Sequence, residues 1–291
     1  MMKLSQAAWA AWALVPVGAM AWHFGPGQCA FRHDRAVDLQ SAALTAQDHA
    51  SALQEQAYAA HLAALKARQA AFVSNTPETD RTAQELGAAE TRAFTAAAEA
   101  WKSTADAFGA MQDAAQVDGD SQQPAAVEQA RLLRSRALVR SGDVWTGVDE
   151  LEAMLDATNA RGEESSSKAV AIREELASAY YCGARLMRMA GESDEQWRPE
   201  AAKARQHFRF LAERAREGAL PGVDATAQQK NVEVVLDLEQ ASAIALEGKP
   251  LPKNCAGQCK NPSKGSKCKK PPQQKKDARG AGGAGDIPPG W

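Results

Sequence analysis

Cys255, Cys259 and Cys268 stand in a C-x3-C-x8-C spacing inside a segment rich in Lys, Pro and Gly. Thiolates so spaced have two chemistries open to them. A structural zinc takes four ligands, and these three cysteines have no histidine beside them to complete the set. Outside the cytoplasm a Cys255–Cys259 or a Cys259–Cys268 disulfide is the alternative. Cys29 and Cys182 lie far away along the chain, and a total of five leaves at least one free thiol or an intermolecular bridge.

The same segment carries Lys260, Lys264, Lys267, Lys269, Lys270, Lys275 and Lys276, an array that attracts an anionic polymer or an acidic lipid surface. No aromatic residue interleaves with these lysines, so base stacking of the single-strand-binding kind has no support. Residues 249–291 hold ten Lys/Arg against two Asp, which leaves 24 basic and 34 acidic residues in 1–248. The chain is therefore an acidic body with a basic arm, and the arm lacks the apolar content to fold alone.

Elsewhere the reactive side chains are scattered. His23, His33, His49, His61 and His207 include no pair at the i, i+4 spacing that sets two imidazoles on one helical face. Glu163-Glu164 and Glu174-Glu175 have no neighbouring nucleophile or desolvating run, and read as solvated helix ends. The sequence contains no phosphate-binding glycine loop and no G-x-S-x-G elbow. Tyr180, Tyr181, Met187 and Met189 fall on several sides of one helix, which places that helix at the centre of a bundle or along a ligand groove. The reading is of a non-enzyme with no cofactor.

The elements that position these residues begin with Ala7–Phe24, an 18-residue run preceded by Lys3 and bracketed by Trp9, Trp12 and Trp22. Its length and interfacial aromatics predict a single-pass signal anchor with the body outside the cytoplasm. Ala19-Met20-Ala21 offers the alternative of a cleaved signal and a secreted protein. Gln28 before Cys29 does not suit a lipobox.

After Gly25-Pro26-Gly27, residues 36–73 contain no Gly or Pro, and Ala43, Ala46, Ala50, Leu53, Ala57, Ala60, Ala64, Ala67 and Ala71 form a heptad seam. Such a seam takes a partner helix closely, either within the chain or in self-association. Thr76-Pro77 starts a second helix that runs to about Gln116, with Phe94, Ala97, Trp101, Thr104, Phe108 and Met111 along one stripe. Large against small, the two form a long antiparallel hairpin of the coiled-coil kind. A polar loop at 117–121 leads to shorter helices at 124–141, 143–160, 167–190, 197–217 and 224–247, punctuated by Gly142, Gly191, Gly218 and Gly248.

The unit from Ala130 to Leu155 resembles a tetratricopeptide repeat through Ala130, Ser135, Ala137, Leu138, the Gly142-Asp143 turn, Gly147, Leu151 and Leu155. Arg131, Arg134 and Met154 depart from that pattern. Ala177, Tyr180, Tyr181, Leu186 and Met187 with Trp197, Ala204, Phe208 and Leu211 suggest a second pair. The whole layout is similar to uncharacterised bacterial envelope proteins with an N-terminal membrane anchor, repeat-like helices and a basic tail. The resemblance implies protein or peptide binding in a groove between helix pairs.

The expected architecture is thus all-α. A membrane segment at 1–35 precedes a hairpin at 36–117, a repeat-like domain at 124–248 and a disordered tail at 249–291. The expected role is a membrane-anchored scaffold for other envelope proteins, with residues 7–24 in the membrane. The alternatives are an electrostatic tether through the tail lysines and a thiol or metal role for the tail cysteines.

Overall fold

The computed structural model of this chain describes residues 3–24, 26–117, 124–220 and 222–258. Among the described residues there are nine helices and no strand, so the all-α expectation holds. The order is α1 (Lys3–Phe24), α2 (Pro26–Ser74), α3 (Pro77–Val117), α4 (Pro124–Arg140), α5 (Val144–Ala160), α6 (Ser167–Met189), α7 (Asp194–Arg216), α8 (Ala225–Gln240) and α9 (Ala243–Glu247). From α2 to α8 each helix packs on the next in chain order, an arrangement of the repeat-like kind.

The apolar N-terminal run is helical, but no helix among the described residues is long and apolar enough to cross a membrane. That corrects the transmembrane expectation. Seven residues of the run are Ala, which carry little hydrophobicity each, while three Trp, the in-helix Pro16 and His23 dilute it further. Trp9 and Trp12 are 72% and 73% exposed.

In the hairpin, the Ala seam of α2 is consumed by α3. Ala43, Ala50, Ala57 and Ala64 have no exposed surface at all. Phe108 packs with Ala43 of α2 and Ala130 of α4, and Trp101 with Ala50 of α2 and Ala137 of α4. Each of these rings is thus shared by two alanine-lined helices, which joins the hairpin to the bundle. The turn runs through Asn75, the one non-glycine with positive φ among the described residues, and Thr76 accepts the Thr79 amide before Pro77 opens α3.

In α4 and α5 the crossing point is Gly147. A β-carbon there would fall 2.6 Å from Val139 Cγ2 and 2.8 Å from the Ser135 carbonyl oxygen. Arg134 of α4 pairs with Glu150 of α5 at 2.5 Å. The helix α6 is the centre of the bundle, with Ile172, Leu176, Tyr180 and Met187 wholly or almost wholly buried. Three boundaries differ from expectation. The helix expected from 36 opens at Pro26, ten residues earlier. A Ser193/Gln196 capping box starts α7 at Asp194 rather than at 197. The last expected helix breaks at Ala241, where the Ser242 side chain caps α9 and Arg188 donates to the freed carbonyls of Leu238 and Ala241.

Candidate functional site

Past α9 the chain does not leave the body. Residues 248–257 lie as an irregular strap of turns and bends across α2, α3 and α6. On the α6 side, Cys255 is disulfide-bonded to Cys182, with both residues buried. Three residues further along α6, Arg185 is 4% exposed and donates to three main-chain carbonyls: Leu246 at 3.1 Å, Lys249 at 2.6 Å and Pro250 at 3.0 Å. A buried guanidinium is costly unless its donors are matched; here peptide oxygens and the Tyr181 hydroxyl take the two terminal nitrogens, while Nε has no partner among the described residues.

On the hairpin side, Gln69 donates to the Gly248 carbonyl at 3.2 Å. Gln54 donates to the carbonyls of Lys253 at 2.9 Å and Cys255 at 3.1 Å, and its own oxygen accepts from Trp101 Nε1 at 3.2 Å. Between these two amides sits His61, 5% exposed. Its Nε2 accepts the Leu251 amide proton at 2.9 Å, so the proton of the neutral ring is on Nδ1, which donates to Glu90 at 2.5 Å. Arg68 donates to the other Glu90 oxygen at 2.7 Å. Burial pushes the Glu90 carboxyl up, but the hydrogen bonds from His61 and Arg68 outweigh it and hold the group below the usual carboxylate range.

Ion pairs flank the strap, Lys249 with Asp237 at 2.8 Å and Lys253 with Glu55. Leu251 packs on Phe94, and Gly257 rests on the Phe94 ring so closely that a β-carbon would come within 2.6 Å of it. What this arrangement does chemically is hold the strap by its main-chain carbonyls and one amide, with the Cys255 disulfide, the two lysine ion pairs and the Leu251 and Gly257 contacts on Phe94 fixing its register.

A second polar cluster lies between α5, α6 and α7. Tyr180 donates to Glu152, and Lys203 lies 3.3 Å from Glu200 and 3.9 Å from Glu152. His207 stacks on Tyr180 with 6.0 Å between ring centroids. Burial, together with the Arg173 and Lys203 cations, pushes the His207 imidazole down to about 4, against the pull of Glu152. Burial and the Glu152 hydrogen bond push the Tyr180 hydroxyl well up.

The residues singled out from sequence fare unevenly. Cys255 pairs with Cys182 in place of Cys259, because the strap carries it back onto α6 across 73 residues of chain. Cys259, Cys268 and Lys260, Lys264, Lys267, Lys269, Lys270, Lys275 and Lys276 lie outside the described residues. Among the described residues no group of three or more His, Cys, Asp or Glu is placed to hold a metal. Tyr180 and Met187 are core residues of α6. Gln54, His61 and Arg185 were not legible as a set, although Gln40, Gln47, Gln54, His61 and Arg68 recur every seven residues beside the Ala seam and signal a polar row with something to hold. Neither a family model, nor a curated protein, nor a solved structure matches this chain.

Proposed function

We propose that this chain is a non-catalytic helical scaffold of an extracytoplasmic surface, attached to the membrane at its N-terminus and binding other envelope proteins along its stacked helices. The observation that carries this reading is the buried Cys182–Cys255 disulfide, which ties the C-terminal strap to the bundle and suits an oxidising compartment. Two further features support it. The long α2–α3 hairpin, about 74 Å at 1.5 Å per residue, presents extended polar faces of the kind on which partner proteins dock. The apolar side chains of α1, with Trp9, Trp12 and Trp22 exposed, suit insertion at a membrane interface or a signal segment.

The test uses the full chain with a C-terminal epitope. Protease added to spheroplasts removes the tag from the membrane fraction if the body lies outside, and alkylation before reduction then finds Cys182 and Cys255 blocked. In-cell cross-linking of the same strain should retain specific partner proteins. A protected tag with all five cysteines alkylated overturns the reading.

A further inference from the structure

We propose that His61 is a proton-operated latch on the strap, closed by the neutral imidazole and opened by the imidazolium. The proposal is independent of the scaffold reading. It follows from the direction of one hydrogen bond. Leu251 N–H can donate to His61 Nε2 only while that nitrogen keeps its lone pair, because Nδ1 already spends the ring's proton on Glu90. Protonation turns Nε2 into a second donor and sets two N–H groups face to face in a site where His61 is 5% exposed. Histidine is the one side chain whose ordinary charge change lies between about pH 5 and 8.

The groups around His61 come from both hairpin helices and from the strap. From α3, Glu90 faces Nδ1 and is shared with Arg68 of α2. The Tyr58 and Phe94 rings flank the imidazole at 6.5 and 6.1 Å between centroids, and the hydrogen bond at Nε2 is the one from the Leu251 amide. The strap's own cations are engaged elsewhere, Lys249 with Asp237 and Lys253 with Glu55. Glu90 therefore keeps its attraction for the imidazolium, and the strap amide is what must move away.

The two flanks of the strap respond differently. Its α6 side is held by the Cys182–Cys255 disulfide and by Arg185. Its hairpin side is held by His61, by the neutral amides of Gln54 and Gln69, by the Lys253–Glu55 ion pair and by the Phe94 ring under Leu251 and Gly257. Loss of the His61 bond thus loosens the strap on the hairpin around Leu251 while leaving it tied to the bundle. The part of the Phe94 ring that Leu251 covers becomes available as a surface.

Amide hydrogen exchange on the full oxidised chain tests this, with protection factors corrected for intrinsic exchange at pH 8 and pH 5. The expected result is a loss of protection of at least tenfold at Leu251 and its strap neighbours at pH 5, with Leu176 in α6 still protected. His61→Gln, which keeps an acceptor for Leu251 and cannot become a cation, should remove that pH dependence. The proposal is overturned if wild-type strap protection is equal at the two pH values, if α6 loses protection together with the strap, or if His61→Gln responds as wild type does. Should His61→Gln not fold, imidazole nitrogen shifts of the wild type decide alone. Protonated Nε2 with a still-protected Leu251 amide overturns the latch.

Discussion

Cys182 in the middle of the central helix is bonded to Cys255 in the strap, closing a loop 73 residues apart in sequence around α7, α8 and α9. A cross-link over that span removes much of the freedom of the unfolded chain, by about 4 kcal/mol in the loop-entropy estimate and typically about 2–4 kcal/mol as measured. Urea denaturation of the oxidised protein against the Cys182→Ser, Cys255→Ser double variant should show a loss in that range. A loss near zero would mean that Arg185 and the hairpin amides hold the strap unaided.

Arg185 is the other anchor on α6. Removing its side chain with Arg185→Leu breaks one buried and two part-buried hydrogen bonds to the carbonyls of Leu246, Lys249 and Pro250, of which Leu246 still accepts from the Lys249 amide. Unmet buried acceptors cost about 1–3 kcal/mol apiece before relaxation, so a total of about 3 kcal/mol is expected. Arg185→Lys, a compact ammonium without the fork, should recover only part of it. Chemical denaturation of the two variants side by side checks both the size and the order.

The helices, their glycine stops and the large-against-small stripe of the hairpin were legible in sequence because each is a local or strictly periodic signal. Phe94, Trp101 and Phe108 fall every seven residues, and so do the alanines that receive them. The strap was not legible. Leu251 sits 190 residues from the His61 that holds it and Lys253 sits 199 from Gln54, so no spacing rule connects them. The Lys/Pro/Gly composition that argues against autonomous folding is satisfied here by docking onto helices already formed. The N-terminal run misled in a different way, since an unbroken apolar count overstates alanine.

Glycine substitutions separate close packing from helix propensity. Gly183→Ala would put a β-carbon 2.7 Å from the Trp145 ring, and Gly147→Ala would meet backbone as well as Val139. Overpacking of this kind costs about 1–3 kcal/mol, with Gly147 the worse because the Ser135 carbonyl cannot rotate away. Gly87→Ala in α3 meets nothing within 4 Å and should stabilise the helix by up to about 1 kcal/mol. Thermal unfolding of the three variants should therefore change sign between Gly87 and the other two.

His207 makes the stability of the bundle depend on pH. Its ring is stacked on Tyr180, and burial beside Arg173 and Lys203 pushes its protonation down to about 4 from an ordinary 6.5. The unfolded chain therefore binds a proton between those values that the folded chain refuses. Stability from this group is complete above about pH 6.5, declines as the pH falls and is lost by about pH 4. A shift of that size, discounted for partial exposure, corresponds to about 2 kcal/mol. His207→Phe keeps the stack on Tyr180 and cannot be protonated. The gap between the unfolding free energies of wild type and His207→Phe should thus move by about 2 kcal/mol between pH 7 and pH 4, in favour of the variant at the acid end. A gap that stays constant with pH would show that His207 is protonated as readily in the folded chain as in the unfolded one.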